Sequence, residues 1–123
     1  MNNSSDFIKS FLSKIELPLS RNGLQNIKEV YDSEIISNFI NQTVDKITYD
    51  VIVKASSNIL KTHEIVSAFS YIFHHSPRQV QSDYNAHFKI IIEKLKERFD
   101  DVSITTYPPG NIEKRTAIHF DWS

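Results

Sequence analysis

Residues 102–122, VSITTYPPGNIEKRTAIHFDW, decide how the rest of the chain is read. Val102, Ile104 and Thr106 alternate with Ser103, Thr105 and Tyr107, a period of two rich in β-branched side chains. Pro108-Pro109-Gly110-Asn111 is strong turn chemistry, because proline presets one backbone angle and glycine frees another. The chain then returns through residues 115–122. There Ile118, Phe120 and Trp122 fall on one face, and Ala117, His119 and Asp121 on the other. Two strands joined by one loop form a hairpin, which is marginal in water alone. A third strand and a helical cover are therefore required.

Residues 76–99, SPRQVQSDYNAHFKIIIEKLKERF, supply the cover. Ser76 and Pro77 suit a helix start. Val80, Tyr84, Phe88, Ile91, Leu95 and Phe99 then make one stripe at helical spacing. Upstream, residues 62–75 predict another helix, capped by Thr62, with Ile65, Ala68, Phe69, Ile72 and Phe73 inward and His74-His75 at its end. The third strand is expected at residues 46–55, KITYDVIVKA, where Ile47, Tyr49, Val51, Val53 and Ala55 alternate with Thr48, Asp50, Ile52 and Lys54. A continuing helix is the rival there. Residues 23–45 carry Leu24, Ile27, Val30, Tyr31, Ile35, Ile36, Phe39 and Ile40 at helical spacing, as one helix or as two with a fresh start at Asp32-Ser33. A short helix with Phe7, Ile8, Phe11, Leu12 and Ile15 on one side precedes it and ends at Leu17-Pro18. With no repeat, linker or low-complexity segment, residues 1–123 are expected to form a single α+β domain: a small three-stranded antiparallel sheet with helices on one face.

Composition excludes several functions. The formal charge of −1 gives no global attraction to nucleic acid or anionic membrane. Without cysteine there is no disulfide framework, thiolate metal site or cysteine nucleophile. Two glycines, Gly23 and Gly110, are too few for the usual dinucleotide or P-loop cradles, and the Gly-x-Ser-x-Gly elbow is absent. The opening MNNSSDF has no basic flank or apolar core, and no apolar run spans a bilayer. A cytoplasmic location follows as the expectation, with the sequons at Asn2, Asn3 and Asn41 unused. No cofactor is expected.

His63-Glu64 begins a zincin-like motif, but Ser67 stands where the second histidine belongs, so Glu64 is expected as a first-turn helix acid. His74 and His75 point about 100° apart on a helix and cannot readily share a metal, even with His87 nearby, so no metal site is expected. His119 and Asp121 share one strand face, with Tyr107 and Thr105 expected beside them and Asp50 and Lys54 too if residues 46–55 join the sheet. Imidazole, carboxylate and phenol are general acid–base chemistry. They are also what a solvated outer sheet face commonly carries. Arg78, Lys89, Lys94, Lys96 and Arg98 are the basic residues available to a phosphate backbone, with Lys114 and Arg115 at the hairpin. Asp83, Glu93 and Glu97 interleave with them, the pattern of ordinary ion pairing along a helix.

The ending DDVSITTY, a Pro-Gly turn and TAIHFDWS resembles the close of many small phage- and virus-encoded α+β proteins of unknown role. The resemblance covers about the last third of the chain and implies an accessory or inhibitory protein. It transfers no site residues. The favoured function is a non-enzymatic module binding another protein through Tyr107, Lys114, Arg115, His119 and Asp121, with self-association compatible. A nucleic-acid binder using the basic helix comes second, and an enzyme using His119 and Asp121 third.

Overall fold

The computed structural model describes residues 4–57, 59–107 and 116–123. It is an α+β fold, with helices packed against a three-stranded antiparallel sheet. Helix α1 spans Ser4–Ser13 and ends before the cis Leu17–Pro18 peptide. Helix α2, Arg21–Gln25, is capped by Ser20, whose hydroxyl accepts from the Gly23 amide at 3.0 Å. After a break at Asn26, α3 runs unbroken over Ile27–Ser57, about 46 Å at 1.5 Å per residue. Asp32-Ser33 does not restart it; the Asp32 carboxylate accepts from Lys28 and Gln79 instead, and those bonds hold it below the usual carboxylate range.

The strand expected over residues 46–55 is therefore helix. Ile40, Val44, Ile47 and Val51 are all buried, and their spacing of four, three and four residues puts them on one side of α3. Local preference for strand is weaker than that burial. The Thr48 hydroxyl settles by donating to the Val44 carbonyl at 2.6 Å.

The third strand is β1, Thr62–Ile65, where a helix start was expected. Thr62 is no cap, and Glu64 is no first-turn acid. A two-residue turn then leads into α4, Ala68–Phe73, which closes at His74 as expected. Its Ser67 cap residue sits in the left-handed region at φ 50°. The helix expected over residues 76–99 is two: α5, Arg78–Gln81, and α6, Tyr84–Arg98. Ser76 makes no cap; Asp83 does, its carboxylate accepting from the Ala86 amide at 3.2 Å. The apolar stripe survives the break, because Val80, Phe88, Ile91 and Leu95 are all buried.

Strands β2, Ser103–Tyr107, and β3, Ala117–Asp121, pair antiparallel as expected, with Thr105 opposite His119 and Tyr107 opposite Ala117. The sheet order is β1-β3-β2, so β3 is central and Glu64 lies opposite His119 on its other side. The turn at residues 108–111, Lys114 and Arg115 lie outside the described residues. One apolar cluster joins Ile40 to Val51 of α3, Ile65, Ile104, Ile118 and Phe120 of the sheet, Ile72 and Phe73 of α4, and the α6 stripe. Among the described residues, no helix is long and apolar enough to cross a membrane.

Candidate protein-docking surface

The antiparallel register assigns the outer sheet face. Residues directly opposite share a face, so Glu64, His119 and Thr105 form one row across the three strands, and Thr62, Asp121 and Ser103 the next. Tyr107 is exposed at the far corner, opposite Ala117. The structure thus brings Tyr107, His119 and Asp121 to one face, but it does not join His119 to Asp121. The Asp121 carboxylate accepts from the Ser123 amide at 3.0 Å and the Ser123 hydroxyl at 2.7 Å, and these bonds hold its pKa down. The partner of His119 is Glu64, with Nδ1 3.7 Å from Oε1. That separation suits an ion pair with imidazolium and exceeds a hydrogen bond. Carboxylate, imidazole and threonine hydroxyl stand in the order of an acyl-transfer triad. The backbone amides of β3 beside them are engaged in the ladder, however, and are not free to stabilise an oxyanion. What the row offers is a polar, titratable surface.

The basic residues do not gather. Arg98 donates to Asp45 at 2.8 Å, and Lys94 borders a cavity with Glu29 and Asp32. Lys89 and Lys96 share the outer side of α6 with Glu93, while Arg78 stands on the separate α5. An unopposed phosphate track is not what these positions form. His87, considered with His74 and His75, is buried, and its Nδ1 lies 3.0 Å from the Val80 carbonyl. Among the described residues, no group of three or more potential ligands gathers to hold a metal.

A second surface escaped the sequence. Between α3 and the β1–α4 segment runs a groove of about 450 Å³ lined by Tyr49, Asp50, Val53, Lys54, His63, Glu64, Val66 and Tyr71, among others. Ile65 in its floor is buried, but four of its other residues stand well out of the protein: Tyr49 is 66% exposed, Val53 42%, Val66 68% and Tyr71 39%, with Ile52 of α3 at 55% beyond them. A polar frame fixes the groove. The Tyr71 hydroxyl donates to Asp50 at 2.6 Å, and the Lys46 ammonium lies 4.6 Å from the centre of the Tyr71 ring. Partial burial, then the Asp50 carboxylate, pushes the Tyr71 pKa up to about 12. Burial, then the Lys54 charge, lowers the pKa of His63. Glu64 belongs to both surfaces, since it lines the groove and faces His119 on the sheet.

The available signal was an excess. Residues 46–55 hold more apolar side chains than one buried helix side uses, and the surplus, Tyr49, Ile52 and Val53, is what made the segment look like a strand. No protein-family model, curated protein or solved structure matches this chain.

Proposed function

We propose that this protein is a non-enzymatic module that docks another protein on the apolar surface formed by the C-terminal half of α3, β1 and the start of α4. The carrying observation is the cluster of exposed Tyr49, Val53, Val66 and Tyr71 around one groove. Single exposed apolar residues are ordinary, whereas several bordering one concavity mark a site that loses water on binding. Tyr107, His119 and Asp121 on the adjoining sheet face supply a polar rim, continuous with the groove through Glu64. With the resemblance of its closing third, this makes an accessory or inhibitory protein of a phage or virus, acting in the host cytoplasm.

The test is site-specific photocrosslinking in the native host, with a photoreactive phenylalanine analogue placed at position 49, 66 or 28. Lys28 lies on the distant N-terminal part of α3. The same discrete adduct from positions 49 and 66, absent at 28, is the expected outcome. No adduct, or equal adducts at all three positions, contradicts the reading.

A further inference from the structure

The N-terminal third of the chain has helices but no core of its own. From Asp6 to Phe39 no side chain is buried, and the buried residues of the apolar cluster begin at Ile40. The segment is nevertheless rich in large apolar residues, and Ile8, Leu12, Leu17, Leu24, Val30 and Tyr31 all stand exposed. What holds α1 to the molecule is thin. Phe7 and Phe11 meet the Tyr31 ring edge-on at 5.9 and 5.5 Å, and Lys14 pairs with Glu34 at 2.9 Å near the surface. Such contacts contribute little singly, and a ten-residue helix is marginal in water unless it buries an apolar face.

The surface area points the same way. A folded monomer of 14.3 kDa exposes about 6,800 Å². This chain exposes 8592 Å². The surplus of about 1,800 Å² exceeds the roughly 800 Å² that each partner gives to an interface of standard size.

Charge and shape indicate what covers the lobe. Lys14 is paired with Glu34 and Lys28 with Asp32, which leaves Asp6, Glu16 and Glu29 against Lys9 and Arg21. A membrane or a nucleic acid presents one sign and would meet three carboxylates. So even a mixture offers no charge by which to choose a foreign protein, but it suits its own image, because in a two-fold pair each acid can meet its mate's base. A hollow of about 480 Å³ lies between the α1–α2 link and α3, with Ile15, Leu17, Leu19, Ile27 and Val30 in its lining. Leu24 follows Gly23 of that lining, Leu12 is one turn before Ile15, and both stand exposed. Hollow and projection on one surface are what an isologous contact needs.

We propose that α1, α2 and the first turns of α3 pair with the same lobe of a second copy of the chain about a two-fold axis. Leu12 and Leu24 of each copy are covered by the other. The docking groove is not involved: Val30 and Val53 are about 35 Å apart along α3, so the dimer leaves both grooves open. Lys28 pairs with Asp32, which also bonds Gln79 of α5, on the side of α3 turned from this lobe.

The test is sedimentation equilibrium of the full chain across the micromolar range. A particle of twice 14.3 kDa is expected. Leu12→Glu and Leu24→Glu should each weaken it by about a hundredfold or more, since the two-fold axis buries every added carboxylate twice. Both side chains are exposed in the single chain, so the amides of Ile91 and Ile118 should keep their protection from hydrogen exchange. Val53→Glu should leave the dimer intact. A monomer throughout that range overturns the proposal, as does a dimer that both leucine variants leave unchanged. A dimer lost in Val53→Glu instead places self-association on the groove and also overturns it. If the chain is monomeric while positions 49 and 66 still capture a host protein, only the dimer falls. If it is dimeric and they capture nothing, only the docking reading falls.

Discussion

Along α3, Ile47 and Val51 face one way and Tyr49, Ile52 and Val53 the other, and the two sides meet different fates. The first pair is sealed between the sheet and α6 within the apolar cluster. The second set, an aromatic and two β-branched side chains, stands at a surface near Val66 and Tyr71. Apolar residues within one helical segment are therefore placed in two environments. Burial accounts for one side, and the other is the side we propose to serve association. Single apolar side chains in water are ordinary, but several gathered around one groove are most simply explained by an association that removes them from water.

The comparison is broken most sharply by truncation on the buried side. Ile47→Ala is expected to cost about 2–5 kcal/mol in chemical denaturation, from lost burial and the cavity left in the apolar cluster. A near-neutral result places the core elsewhere. The turn that raises Val66 is expected to show a smaller effect of opposite sign. Ser67 holds φ 50° there, so Ser67→Gly should stabilise by about 1 kcal/mol, the left-handed penalty removed less the greater freedom of the unfolded glycine chain. A loss of stability would mean that the serine side chain contributes more than its backbone costs.

The polar frame of the groove is tested by titration. With a folded pKa of about 12, Tyr71 should ionise well after the ordinary phenols in an ultraviolet titration, and Asp50→Asn should bring it down. A raised folded pKa means this stabilisation is fully present below the unfolded value of about 10 and is lost as pH climbs through the folded one. His63 runs the other way. Its folded pKa is depressed, so its contribution is present above the unfolded value of about 6.5 and lost as pH falls through the folded value. His63→Gln should flatten that acid-side decline. The smallest effect is expected on the exposed side of α3: Val53→Ser should change stability by less than about 0.5 kcal/mol.

The hairpin and the stripe on α6 were legible because each has a clean period. Ile104, Ile118 and Phe120 alternate with polar residues, and Phe88, Ile91 and Leu95 repeat every three or four positions. Hence the α+β class and the company of Tyr107, Thr105, His119 and Asp121 on one face could be read directly. The third strand could not. β1 is only four residues, THEI, and its threonine, histidine and glutamate imitate a capped helix start with the opening of a metal motif. Residues 46–55 then took its place because the surplus Tyr49, Ile52 and Val53 obscured the helical spacing of Ile47 and Val51. Without β1 in position, Glu64 could not be seen as the partner of His119, nor the groove as a groove. The break at Ser82-Asp83 was hidden for a related reason: the apolar stripe passes across it unchanged.

The central claim is that the outward apolar side of α3 serves association and not folding. Val53→Glu tests it most directly, with thermal stability and recovery of the position-66 crosslink measured on the same preparation. An unchanged Tm with the crosslink lost is the expected result. An unchanged Tm with the crosslink retained, or a Tm that collapses as it should for Ile47→Ala, contradicts the claim.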